Sequence, residues 1–251
     1  MNIAVCVKQV IDTEAVIELD GSGNVVTEGQ TLIIDPYGEF AVEKAVQLKE
    51  ALGGEVCCVC VGDEGSTSAL RHALAMGADR AILVEDGAWR DLDAAQCAAE
   101  LACVLSELDA DVIMGGWTSG DTASAQVMGR IAQRLGLPLA NMAVSLEAQD
   151  AGVRATCEVA DGVEVADYAC PVVVAAQQGL AEPRYPSVRD VMQARRKPIE
   201  RRALAGNTQA AARVVSRSLK PARSGGRVLE GDAAQAVLEL VRLLQTEAKV
   251  I

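Results

Sequence analysis

The chain has 251 residues, half of them hydrophobic but only 2% aromatic, and a net charge of −12. This length suits one large domain with an extension, or two small domains, and a core of Ala, Val, Leu and Ile suits buried parallel strands against Ala-rich helices. No apolar run reaches the length of a membrane span, and the opening stretch has neither the basic n-region nor the small-residue cleavage site of a signal peptide.

In chain order, Ile3–Val7 reads as a buried strand ended by Lys8-Gln9, and Thr31–Ile34 as a short strand stopped by Asp35-Pro36. Glu39–Leu52 has helical spacing, with Val42, Ala45, Val46 and Lys49 on one face and Gly53-Gly54 as the stop. Glu55–Val61 is a strand ending in Gly62, Ser66–Met76 a helix closed by Gly77, and Arg80–Val84 the next strand. Asp93–Leu108 is amphipathic, with Ala94, Cys97, Ala98, Leu101, Ala102 and Leu105 predicted to face inward. Asp111–Met114 leads into Gly115-Gly116, and Thr122–Leu135 is the following helix, with Asp121 available as its N-cap. This alternation predicts an α/β fold, a parallel sheet with helices on both faces. Ligands of such sheets sit at the carboxyl ends of the strands, which directs attention to Val7–Asp12, Val61–Asp63 and Gly115–Gln126.

The pattern then changes. Val144–Leu146, Val153–Val159, Val163–Tyr168 and Val172–Ala176 read as strands separated by Asp-Gly-type turns, hence hairpins added to the edge of the sheet. Beyond Pro183 the chain loses its core character. Between Arg184 and Arg223 it carries eleven Lys and Arg against two acids, Asp190 and Glu200, with Pro186, Pro198 and Pro221 as punctuation. A basic segment on an acidic body can signal nucleic acid, but the acidic body repels a phosphate backbone and there are few aromatics to stack bases. A basic arm that docks on an acidic partner, or on a bound nucleotide, fits better. The last helix, Asp232–Glu247, has an apolar stripe of Ala236, Leu240, Leu243 and Leu244 that must dock on this domain or on a partner. The organisation predicted is therefore a domain over residues 1–183 and a docking loop, arm and terminal helix over 184–251.

Eight cysteines show no paired C-x-x-C spacing, so they read as reduced core residues and no metal site is expected. The lone histidine, His72, falls inside a helical stretch, which weakens hydrolase and metalloenzyme readings. The richest segment is Gly115–Gln126, where a buried strand meets a helix through small, hydroxyl-bearing residues. Such a turn exposes backbone N–H groups at a helix N-terminus and can hold an anion; as an alternative it is a plain Gly-rich turn. It is neither a P-loop nor a G-x-G-x-x-G turn.

Four segments carry a resemblance. Val7-Lys8-Gln9-Val10-Ile11-Asp12-Thr13, the block Asp35–Glu43, the block Ala69–Asp79, and Glu182-Pro183-Arg184-Tyr185-Pro186-Ser187-Val188 through Glu200 resemble, in order, electron-transfer flavoprotein beta subunits. The resemblance covers almost the whole chain. It implies a Rossmann-like adenine-nucleotide-binding fold similar to universal stress proteins, and a heterodimer with an alpha subunit that holds most of a redox-active FAD. It also implies AMP or a second FAD in the beta-subunit site, and docking to acyl-CoA dehydrogenase-type or other redox partners. By this analogy Cys6, Val7, Lys8, Val61 and Gly62 line the adenine end, and Gly116, Ser119, Asp121, Thr122, Ser124 and Gln126 hold ribose and phosphate. Asp35 joins this set at the place where the family usually has Asn. Val188, flanked by Arg189 and followed by Met192, is the implied docking residue. The ending from Gly226 to Ile251 resembles versions from bifurcating or anaerobic systems and favours a second FAD. The resemblance implies an electron carrier in the cytoplasm, with no nucleic acid partner and no membrane insertion. The alternative of another class is a stand-alone adenine-nucleotide-binding regulator of the universal-stress type, which would not need the C-terminal arm.

Overall fold

The computed structural model describes residues 1–206, 208–221 and 225–251, and Arg223 of the basic stretch lies outside the described residues. A nine-stranded sheet forms the centre. Its members are β1 (Ile3–Cys6), β4 (Val56–Gly62), β5 (Arg80–Glu85), β6 (Val112–Gly116), β7 (Leu139–Gln149), β8 (Gly152–Val159), β9 (Gly162–Ala169), β10 (Val172–Ala176) and β11 (Glu200–Ala203). The spatial order is β11-β5-β4-β1-β6-β10-β7-β8-β9. The run from β11 to β7 is parallel, and β8 and β9 extend it antiparallel. Strands β1, β4 and β10 are buried along their length, as the continuous apolar runs require of strands covered on both faces.

The helices α1 (Pro36–Leu52) and α2 (Thr67–Met76) cover one face, where Val42, Val46, Leu70 and Leu74 pack with Ile3, Val5 and Leu83. The helices α3 (Ala94–Leu105) and α4 (Val127–Leu135) cover the other, where Leu101, Leu105 and Ile131 pack with Ala4, Val59 and Ile113. The predicted parallel sheet with helices on both faces is what the chain forms. Five cysteines are buried, two are half-buried, and Cys103 is exposed on α3, so it is not a core residue.

Several expectations change. Two strands were not anticipated. β2 (Gln9–Ile11) pairs antiparallel with β3 (Leu32–Ile34) in a separate two-stranded sheet. β11 joins the edge beside β5, and its Glu-Arg-Arg-Ala sequence has no apolar alternation to announce it. Of the four strands expected as edge hairpins, β7, β8 and β9 are, but β10 returns into the sheet and runs parallel between β6 and β7. The helix expected from Thr122 begins at Val127, with Gln126 rather than Asp121 at its N-cap. Ala123 and Ala125 have φ of 47° and 52°, which a right-handed helix excludes, and the Asp121 carboxylate is engaged elsewhere.

The short helix α5 (Val188–Ala194) is capped by Ser187, whose hydroxyl accepts from Asp190 N while the Asp190 carboxylate accepts from Ser187 N. Val188 is thus the first helical residue rather than a loop residue. The helix α6 (Ala233–Leu243) buries none of its residues, and its Val237, Leu238, Leu240 and Val241 are exposed. No helix among the described residues is long and apolar enough to cross a membrane.

Candidate functional site

The strand order reverses at β1, with β4 on one side and β6 on the other. In a parallel sheet this divides the helices between the two faces and opens a crevice at the carboxyl ends of the two strands. Cys6 is opposite Gly115 in the register, so the segments leaving β1 and β6 emerge side by side. The first carries Val7 and Lys8, and the second carries Trp117 to Gln126.

These segments meet through side chains. Lys8 Nζ lies 2.6 Å from Asp121 Oδ1 and 3.4 Å from Ser119 Oγ. Ser119 Oγ donates to Asp121 Oδ1 at 2.7 Å and lies 3.0 Å from the Thr122 hydroxyl. Burial pushes the Asp121 carboxyl up, but the Lys8 charge and the hydrogen bonds from Lys8, Ser119 and Thr122 N outweigh it and hold the group below its ordinary value.

Asp35 fixes the same turn from the α1 side. It is 2% exposed. Its Oδ1 accepts from Tyr37 N at 3.0 Å, capping α1, and its Oδ2 accepts from Gly120 N at 2.7 Å. Burial raises its pKa, opposed by the N–H groups of Gly120, Tyr37 and Gly38. Gly116 is needed at the strand end because a Cβ there would lie 2.6 Å from Tyr37 Cβ. Trp117 then packs edge-on against Tyr37, with centroids 5.9 Å apart, and its Nε1 donates to Gln177 Oε1 at 2.9 Å.

Beyond Thr122 the left-handed Ala123 and Ala125 re-aim the chain into α4. Non-glycine residues in that region cost about 1–3 kcal/mol each and persist where the surroundings over-determine them, typically at functional sites. Arg130 is the first residue of α4 whose N–H is met by the backbone, at Gln126 O, 3.0 Å away. The N–H groups of residues 127–129 have no backbone acceptor among the described residues, as at any helix start. Arg130 also holds the Gln126 side chain, with Nε and Nη2 donating to its Oε1 at 3.1 and 2.8 Å.

The structure therefore brings together Lys8, Asp35, Gly116, Ser119, Asp121 and Thr122, and places Ser124 and Gln126 at the entry to α4. Cys6, Val7, Val61 and Gly62 are buried at the strand ends beneath them. Burial holds the Cys6 thiol far above its ordinary value, so it is a packing group and not a nucleophile. Tyr37, Trp117, Arg130 and Gln177 were not assigned to the site from the sequence, although Tyr37 and Trp117 lie in segments singled out there and Arg130 stands one helical turn after Gln126; Gln177 left no signal. Val188, Arg189 and Met192 lie apart on exposed α5, with Val188 83% exposed.

The donor set suits a nucleotide. Hydroxyls and an ammonium face a turn at a helix N-terminus, a combination that receives phosphate, and Asp121 can accept from ribose hydroxyls. With the crevice at the switch point, these features define a doubly wound α/β protein with a candidate nucleotide site.

Residues 22–207 match the family model described as electron transfer flavoprotein domain. The chain is 36% identical over its whole length to the whole of the electron transfer flavoprotein subunit beta of Bacillus subtilis (strain 168). It is 38% identical to the subunit of the same name from Syntrophomonas wolfei, over 100% of this chain and 98% of that one. The corresponding protein of Thermoanaerobacterium thermosaccharolyticum is 30% identical over 98% of each chain. The chain belongs to the electron transfer flavoprotein family, and its full-length similarity is to beta subunits.

Proposed function

We propose that the chain is the beta subunit of an electron carrier, which with an alpha subunit moves electrons between dehydrogenases and other redox partners through FAD. The observation that carries this reading is the meeting of Lys8 with the Ser119–Asp121 turn at the switch point, in a chain similar from end to end to beta subunits. FAD, held mainly by the alpha subunit, supplies the redox chemistry. The residues of this chain bind and orient. Lys8, Ser119, Thr122 and the start of α4 receive phosphate; Asp121 accepts from ribose; Cys6, Val7, Val61 and Gly62 form the floor under the base; Asp35 holds the turn in shape. The beta-subunit site takes AMP or a second FAD. The resemblance of the C-terminal ending favours the second FAD and hence flavin-based bifurcation.

Residues 1–183 form the nucleotide-binding part and residues 184–251 the docking part. Val188, Arg189 and Met192 contact an acyl-CoA dehydrogenase-type or other redox partner, and the complex works in the cytoplasm. The test is co-expression with an alpha subunit, purification, and a flavin-to-protein ratio. More than one FAD per heterodimer is expected. One FAD with one AMP overturns the second-FAD reading and leaves the carrier. A monomer that holds FAD stably and has no affinity for an alpha subunit overturns both.

A further inference from the structure

After β11 the chain crosses α3, and three polar residues on one face of that helix meet its backbone. Glu100 is 4% exposed, on a different side of the helix from the core residues Ala98, Leu101 and Leu105. Both its oxygens accept from the crossing segment: Oε2 from Ala205 N at 2.5 Å and Oε1 from Gly206 N at 2.9 Å. Nearly two turns earlier, Asp93 Oδ2 accepts from Ala211 N at 2.5 Å and Ala212 N at 2.7 Å, while its Oδ1 caps α3 through Ala95 N and Gln96 N, both at 2.9 Å. Between them Gln96 Nε2 donates to Thr208 O at 3.2 Å. Asp93, Gln96 and Glu100 are spaced i, i+3, i+7, which lines them along one side of a helix.

The contacts these three side chains make with the crossing segment are all to its backbone atoms, and its small residues Ala205, Gly206, Ala211 and Ala212 let the carboxylates come close. From Arg213 to Pro221 every residue is exposed. That stretch carries Arg213, Arg217 and Lys220, no acid, and the exposed apolar Val214, Val215 and Leu219. Among the described residues, its one side-chain hydrogen bond to the body is from Arg217 Nη1 to Asn24 Oδ1 at 3.4 Å. The chain is thus gripped at its root and exposed from Arg213 to Pro221.

We propose that Asp93, Gln96 and Glu100 are positioning residues that clamp the backbone at Ala205, Gly206, Thr208, Ala211 and Ala212 and so fix where the basic, apolar arm leaves the body to embrace its partner subunit. The inference rests on the carrier reading above. The partner face that fits the arm is acidic and apolar. A fixed root lowers the ordering cost of binding, because the arm then searches from one defined point and direction.

The test uses two variants of the full chain. Glu100→Gln keeps side-chain volume and one acceptor. Asp93→Asn keeps the α3 cap, since Asn caps as well as Asp, but turns an amide donor toward Ala211 N and Ala212 N. For each, trypsin cleavage at Arg213 and Arg217 of the free chain, affinity for the co-expressed alpha-type subunit, nucleotide retention and melting temperature are measured beside the wild type. Each lost charge-assisted bond should weaken assembly about tenfold and speed cleavage, with nucleotide retention and melting temperature kept. Faster cleavage with unchanged assembly overturns the proposal, and so does a parallel loss of assembly, nucleotide and melting temperature in both variants, which marks a purely structural clamp. If the wild-type chain itself forms no complex, the carrier reading fails and the proposal falls with it.

Discussion

Asp35→Asn separates two tasks performed by one carboxylate. Oδ1 caps α1 through Tyr37 N and Oδ2 pins the turn through Gly120 N. Asn serves equally well as an N-cap, so the first bond survives. The second becomes donor facing donor. A hydrogen bond to a charged acceptor contributes about 1.5–3 kcal/mol, so nucleotide affinity should fall about ten- to a hundredfold. Stability should respond differently. Burial raises the Asp35 pKa above its unfolded value, so the folded chain binds that proton more tightly. For this group stability is then lowest above the raised pKa and recovers as pH falls through it. Asn carries no charge and removes that neutral-pH penalty, which offsets the lost bond. Calorimetric titration with AMP and FAD, and thermal melts at neutral and mildly acidic pH, read the two effects. Weaker binding at a nearly unchanged neutral melting temperature is expected, together with loss of the Asp35 share of the acid response. Undiminished binding would refute the reasoning, as would a large fall in melting temperature.

The other predictions follow the same geometry. Asp121→Lys sets a second ammonium beside Lys8 in place of a 2.6 Å ion pair, so the turn should open and retained nucleotide should drop at least about tenfold; wild-type retention would place the site elsewhere. Val188→Ala removes an apolar side chain that is 83% exposed, where burial by a partner would contribute about 1.5 kcal/mol; electron transfer to the dehydrogenase should slow several-fold to tenfold, with flavin content intact, and loss of flavin instead would move docking to another surface. Arg184→Met leaves Glu43, with a side chain 3% exposed, without its guanidinium and should cost on the order of 2–3 kcal/mol in denaturant unfolding. Glu43 is held below its ordinary pKa: burial pushes it up, and the hydrogen bonds and charge of Arg184, with Gln47, outweigh that. The wild-type contribution is therefore present above the unfolded pKa and lost as pH falls through the lowered one, so variant and wild type should converge in acid.

The sheet and its covering helices were legible because their signals are local. Continuous apolar runs at Ile3–Cys6 and Val56–Val61 and the helical stripe through Val42, Ala45 and Val46 each mark burial in their own segment. β10 shows the limit. Its run Val172–Ala176 announces burial, but whether a buried strand lies at an edge or returns between β6 and β7 depends on partners far away in the chain. β11 shows the opposite failure, since an edge strand held by Arg201 to Glu85 and Arg202 to Glu107 has no reason to be apolar. At the site the residue types were readable and the start of the helix was not. Thr122 to Gln126 has ordinary helix-compatible composition, and only the positive φ of Ala123 and Ala125 delays α4 to Val127.

That delay has a consequence for the chemistry. Had the helix begun at Thr122, Asp121 would have capped it and neutralised the partial positive charge of its N-terminus. With five residues of turn in between, the Asp121 carboxylate is committed to Lys8, Ser119 and its neighbour's N–H, and Asp35 to Gly120 and Tyr37. Asp35 and Asp121 are thereby compensated by protein donors, while the first N–H groups of α4 have no backbone acceptor among the described residues and, on the proposed function, are left to a ligand. An acidic chain of net charge −12 can in this way present an anion site at neutral pH. The two left-handed alanines cost about 1–3 kcal/mol each, and what they purchase is the separation of carboxylate from helix end. Ala123→Gly and Ala125→Gly, which relieve that cost but free the turn, should therefore raise stability while loosening nucleotide binding, and a pair of variants that binds as tightly as the wild type would show that the turn's shape is not what makes the site.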